Sequence, residues 1–141
     1  MELKVKRLTE SAKIPTYATE GSAAFDLYSD GVVQQYHTAV HNTGLSFEIP
    51  EDHVMLVFSR SGHGFRDDTR LANCVGVIDS DYRGELKVKL TRDSTSQLER
   101  FYRGDRIAQA LVLPVSRVQF LEVGELSGTV RGEGGFGHSG K

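Results

Sequence analysis

The sequence predicts an all-β protein, and three observations carry that prediction. The segment ELKVKLT (85–91) alternates apolar Leu86, Val88 and Leu90 with polar Glu85, Lys87 and Lys89. That period of two marks a half-buried strand. VMLVFS (54–59) and IAQALVLPV (107–115) are short apolar runs rich in β-branched residues, as core strands are. No apolar stripe at helical spacing continues beyond about two turns.

Taken in order, KVKRL (4–8) alternates and reads as a first strand. LSFEIP (45–50) alternates in the same way and stops at Pro50. VMLVFS follows after the Pro50-Glu51-Asp52 turn, then ELKVKLT after Arg83-Gly84, then IAQALVLPV after Arg103-Gly104-Asp105. Asp30-Gly31 and Asn42-Thr43-Gly44 supply two further turns. The one expected helical turn lies near Asp67 to Ala72. Many short strands with regular turns form a sandwich or a barrel, and the pattern leaves the strand order open.

A chain of 141 residues is one domain by length and can bury a core without staples. The single Cys74 cannot form an internal disulfide, so nothing points to an oxidising compartment. No apolar run suits a signal peptide or a membrane span, and a cytoplasmic protein is expected. A net charge of −2 excludes a global basic field for nucleic acid. Any polyanion site must be local. The histidines His37, His41, His53 and His63 lack metal-ligand spacing and are expected at the surface. Cys74, beside an apolar run, is expected to be buried.

Several stretches carry chemistry. SRSGHG (59–64) puts Arg60, Ser61 and Gly62 at the end of an apolar strand. Glycine allows a turn whose N–H groups hold phosphate, and arginine adds a donor fork, although an ordinary surface turn uses the same residues. In NCVGVIDSDYRGE (73–85), Asp79 follows apolar Val75, Val77 and Ile78. A carboxylate there can act as general base for water, and Tyr82 can lie flat against a sugar. A plain β-turn accounts for them equally well. Gln109 sits in an apolar strand, where its amide needs a partner, from the backbone or from a ligand. Asp26 in AAFDLYS (23–29) caps a turn or reaches a metal ion through water. From Gly128 onward the chain is glycine-rich and ends RGEGGFGHSGK.

Five of these stretches, in this order, resemble the homotrimeric dUTPase family: AAFDLYS (23–29), SRSG (59–62), GVIDSDYRGE (76–85), GDRIAQ (104–109) and RGEGGFGHSG (131–140). The resemblance implies a jelly-roll-like β-barrel over 1–127 and a flexible arm over 128–141 that closes the active site. It implies a homotrimer whose sites are shared between subunits, with Mg²⁺ as cofactor. The implied reaction is hydrolysis of dUTP to dUMP and pyrophosphate, without direct nucleic-acid or membrane contact.

Carried over by motif, Asp79 activates the attacking water and Tyr82 packs on the deoxyribose. Asn73, Gly76, Val77, Ile78 and the backbone near Lys87 enclose uracil. Arg60, Ser61, Gly62 and Gln109 hold phosphates, and Asp26 orients waters on Mg²⁺. In the arm, Arg131 reaches the terminal phosphate, Phe136 stacks over uracil, and Gly137, His138 and Ser139 complete the phosphate contacts. HGFRDDTR (63–70) departs from the family's usual Leu-Ala and Lys-x-Gly pattern. Two alternatives are a dCTP deaminase of the same fold and a dUTP-gated protein-binding regulator as a second role. DSDYRG and the full arm favour dUTPase.

Overall fold

The computed structural model describes residues 1–92, 101–138 and 140. The described residues form eleven strands and one short helix: β1 (Lys4–Arg7), β2 (Thr16–Tyr17), β3 (Phe25–Tyr28), β4 (Gly31–Gln34), β5 (Thr38–Asn42), β6 (Leu45–Glu48), β7 (His53–Phe58), α1 (Ser61–Asp67), β8 (Thr69–Leu71), β9 (Val75–Ile78), β10 (Lys87–Arg92) and β11 (Arg106–Pro114). The all-β class therefore holds. No helix among the described residues is long and apolar enough to cross a membrane.

The strands form three sheets, in orders β1-β6, β4-β5-β10-β8 and β2-β3-β11-β7-β9. These sheets do not close into a single barrel. They instead enclose one apolar core. Leu27 on β3, Leu45 on β6, Met55 on β7, Leu90 on β10 and Ile107 on β11 are almost fully buried within one cluster. Alternation decides which residues enter it: along β10, Val88 and Leu90 are buried while Lys87 and Lys89 are exposed.

Three expectations are corrected. The helical turn lies at Ser61–Asp67, not at Asp67 to Ala72. Asp68 stops it in the left-handed region (φ 49°), and Thr69–Leu71 pair with β10 as β8. Sheet pairing and burial of Thr69 and Leu71 override the local preference. His41 and His63 are buried, at 0% and 7% exposure, rather than on the surface. His41 faces inward because it shares the inward face of β5 with Ala39, and its Nδ1 lies 2.9 Å from Ser29 Oγ. Cys74 is exposed, in a tight turn with φ 64°, because the following strand β9 is a sheet edge whose Val75 and Val77 also face solvent.

Two features position the site. β11 carries a bulge: Arg106 faces Tyr28 and Ala108 faces Leu27, so two steps on β11 oppose one on β3. A bulge of this kind re-aims side chains. The chain then leaves the sheets after Pro114. Val115 donates its N–H to Asp52 O (2.7 Å), and residues 113–133 are all exposed.

Candidate active site

The hairpin that follows β9 is built by local contacts. Tyr82 N–H donates to Asp79 O (3.2 Å), closing the turn over 79–82. Tyr82 Oη donates to Glu85 O (3.0 Å), which lays the ring along the hairpin. A Cβ at position 84 would collide with the Tyr82 ring, so a larger residue there must displace that ring. Three contacts tie the hairpin's far arm to β6 and its turn. Ser46 Oγ donates to Arg83 O (2.7 Å), Thr43 Oγ1 donates to Leu86 O (2.6 Å), and Gly44 N–H donates to Glu85 Oε1 (2.9 Å).

Two clefts result. One, of about 450 Å³, is lined by Val77, Ile78, Asp79, Tyr82 and Lys87. The other, of about 390 Å³, opens between β9 and β10 and is lined by Asn73, Gly76, Val77, Ile78 and Lys87 among others. Among the described residues strand β9 pairs only with β7, so its other backbone edge faces this opening. An unpaired edge offers alternating N–H and C=O groups, which suits the flat, hydrogen-bonding rim of a base. Gly76 allows close packing here, since a Cβ would stand 3.1 Å from Val57 Cβ. Asp79 is exposed at the rim, free to meet water.

A separate polar centre lies at the other end of β7. Asp26, 8% exposed, is gripped by two arginines. Arg60 Nε donates to Asp26 Oδ1 (3.1 Å) and Arg106 Nη1 to Asp26 Oδ2 (3.3 Å). Gln109, directly across from Asp26 on β11, donates its amide to Ser59 O (2.9 Å). Its partner is thus backbone, while its side chain still borders a cleft of about 410 Å³ with Asp26, Arg60, Ser61 and Arg106. Arg106 joins this cleft too, and sequence reasoning missed it. Three positions from Gln109, it belongs on the opposite face of a plain strand; the bulge brings it round. Gly62 lies half-buried, next to Arg66 Nη2, which a Cβ would approach to 3.2 Å.

The two centres are far apart within one chain. β9 runs antiparallel to β7, with Val75 beside Phe58 and Ile78 beside Met55. Asp79 therefore comes off near Val54, while Arg60 lies beyond Phe58. Six residue steps separate them (60 − 54), roughly 20 Å at a strand rise of ~3.3 Å. The structure groups Asn73, Gly76, Val77, Ile78, Asp79, Tyr82 and Lys87 at one place. It groups Asp26, Arg60, Ser61 and Gln109 at another.

The described part of the arm joins neither group. Arg131 Nε donates to Gly134 O (2.7 Å) inside the arm, and Phe136 is fully exposed beside Gly137 (φ 88°) and exposed His138. Ser139 lies outside the described residues.

The donor set also bears on a metal ion. No cluster of three or more His, Cys, Asp or Glu exists among the described residues, so no protein cage is present there. Asp26 spends one contact per oxygen on arginine and keeps further lone pairs. That fits an ion which retains its own waters and meets a single carboxylate through them, as Mg²⁺ does.

Comparison with known proteins identifies the family. Residues 10–140 match the dUTPase family. A deoxyuridine 5'-triphosphate nucleotidohydrolase of Nautilia profundicola is 43% identical over 143 residues, covering 100% of both chains. The protein of that name from Helicobacter hepaticus is 44% identical over 142 residues, covering 99% of this chain and 89% of its own. Among solved structures, the Staphylococcus bacteriophage 80alpha dUTPase with dUPNHPP superposes with a TM-score of 0.84. It is 28% identical and covers 99% of each chain. Chain-long identity above 40% together with one matched fold leaves a plain conclusion: this chain belongs to the dUTPase family.

Proposed function

We propose that this chain is a dUTP diphosphatase, hydrolysing dUTP to dUMP and pyrophosphate. The product would supply thymidylate synthesis, and loss of dUTP would keep uracil out of DNA. The observation that carries the reading is the hairpin cleft. An unpaired strand edge for a base, a tyrosine ring for a sugar and an exposed carboxylate at the rim stand in two adjoining clefts that share Val77, Ile78, Leu86 and Lys87.

Uracil pairs with the β9 edge from Val77 to Asp79 and with Asn73, with the backbone near Lys87 closing the slot. Cytosine presents the opposite donor and acceptor pattern to the same edge. A site built on such bonds rejects a mismatched ligand by as much as ~10⁴-fold. Tyr82, held by Glu85 O, lies against the deoxyribose and leaves no room for a 2'-hydroxyl. Asp79 orients one water and takes its proton as that water attacks the α-phosphorus; pyrophosphate leaves. Arg60, Ser61, Gly62 and Gln109 bind and orient the phosphates, and positioning supplies much of the rate. Asp26 would hold Mg²⁺ through water, and the ion would neutralise phosphate charge when bound.

A separation of roughly 20 Å in one chain is too long for one nucleotide to bridge in place, at the ~3.3 Å strand rise used above. The two centres therefore come together between copies of the chain, as a homotrimer with shared sites. The exposed segment after Pro114 supports this. Phe120, Leu121 and Leu126 are 83–92% exposed. The barrel-like body over 1–127 then delivers the arm, 128–141, to a neighbouring site. There Arg131, Phe136, Gly137, His138 and Ser139 close over the nucleotide. We place the protein in the cytoplasm, beside the nucleotide pool.

Pyrophosphate release from dUTP, UTP, dCTP and dTTP, with and without Mg²⁺, tests the reading. Turnover of dUTP alone is expected. Equal turnover of UTP removes the Tyr82 argument, and ammonia release from dCTP replaces the reaction altogether.

A further inference from the structure

His63 is not part of the machinery described so far, yet it is buried against it. Its first-turn position is fixed by backbone: His63 N–H and Gly64 N–H both donate to Arg60 O (3.1 Å each). Its ring leans on Phe101, centroids 4.7 Å apart and tilted 52°. The other face of the local packing is His41, edge-on to the same Phe101 at 5.9 Å. So confined, His63 Nε2 lies 3.3 Å from Arg60 Nη1.

Chemistry settles the direction of that contact. A guanidinium has donors and no acceptor, so the imidazole nitrogen must accept. The ring is then neutral, with its proton on Nδ1, which is buried and has no hydrogen-bond partner among the described residues. Arg60 is thereby held at two points, Nε by Asp26 and Nη1 by His63. The Nη2 edge remains for a ligand. A four-torsion side chain loses much rotamer freedom on binding, and two fixed points remove that cost beforehand.

We infer that His63 is a positioning residue for the phosphate anchor: it accepts a hydrogen bond from Arg60 and presets the guanidinium for a triphosphate. This rests on the reading of Arg60 as a phosphate ligand. The groups facing His63 are consistent with a neutral ring. Burial acts first to lower its pKa. Arg60 and Arg66 act the same way, and Asp67 on α1 and Asp105 in the turn before β11 act against them. His41 on β5 is itself held neutral. A protonated His63 would lose its acceptor and face Arg60 as a second cation.

The test is a double-mutant cycle on the full chain, reading affinity for α,β-imido-dUTP with Mg²⁺ by calorimetry. His63→Phe keeps ring volume and removes the acceptor; His63→Gln keeps an acceptor. A hydrogen bond to a charged group is worth enough that His63→Phe should weaken binding about 10-fold. His63→Gln should recover most of that loss. In an Arg60→Ala background, His63→Phe should add nothing, which a merely structural role would not produce. If Arg60→Ala weakens binding but His63→Phe does not, or if the two losses simply add, His63 does not act through Arg60. If Arg60→Ala leaves affinity unchanged, the phosphate role of Arg60 fails and this inference fails with it. Full loss in both His63→Phe and His63→Gln, with unchanged melting temperature, would also overturn the acceptor argument.

Discussion

The buried histidine His41 should make the fold acid-labile, and the size of the effect can be worked out. His41 is completely buried on β5, and its pKa is pushed down from 6.5 to about 4. Burial is the main cause. Asp105 opposes it and His63 adds to it. In the unfolded chain the imidazole takes up a proton as pH falls through 6.5; in the fold it stays neutral until about 4. The unfolded state thus binds more protons across that window, and stability falls as pH drops through it. Above pH 6.5 the term vanishes, and below about 4 it stops growing. Linkage gives a loss of about 2 kcal/mol at pH 5 and ~3 kcal/mol by pH 4.

The perturbation is His41→Gln, which retains a partner for Ser29 Oγ and does not titrate. Denaturant unfolding at pH 7 and pH 5, at one protein concentration, supplies the measurement. The loss between the two pH values should be about 2 kcal/mol smaller in His41→Gln than in the parent chain. The comparison is of slopes, so any constant cost of the substitution cancels. Identical pH dependence in the two proteins would refute the reasoning and show that His41 is charged or solvated in the fold.

Four further outcomes concern activity. Asp79→Asn should bind α,β-imido-dUTP as the parent does and lose turnover by about 10²-fold or more, since general-base assistance is worth that much; unchanged turnover removes Asp79 as the base. Tyr82→Ala should raise turnover of UTP relative to dUTP in steady-state assays, and an unchanged ratio would move ribose exclusion elsewhere. Gly84→Ala should displace the Tyr82 ring and mimic that loss of discrimination while the melting temperature changes little. Truncation after Val130 should cripple turnover and leave the proposed homotrimer intact by light scattering. Full activity in the truncate would make the arm a frayed end.

Much of this was readable in advance. Alternation in ELKVKLT and the β-branched runs of VMLVFS and IAQALVLPV mark β10, β7 and β11, because a two-residue period has one physical meaning. The motifs marked the candidate site residues one by one. Other features depended on pairing that no local window contains. Thr69–Leu71 became a strand only because β10 offered a partner. His41 went inward with Ala39 on one face of β5, where Ser29 meets its Nδ1. Cys74 came out because the apolar run after it forms an edge.

By itself, then, the sequence determined the all-β class, the turn positions, the dUTPase likeness and the residue types a phosphate and a uracil need. Those follow from backbone geometry and side-chain chemistry, which act over a few residues. Tertiary structure decided which of those residues meet. The bulge in β11 turned Arg106 onto the face of Gln109, and antiparallel pairing sent Asp79 and Arg60 to opposite ends of β7. Burial gave His63 its place against Arg60. Register and packing are sums over contacts distant in the chain, so they become visible only when the whole core is assembled.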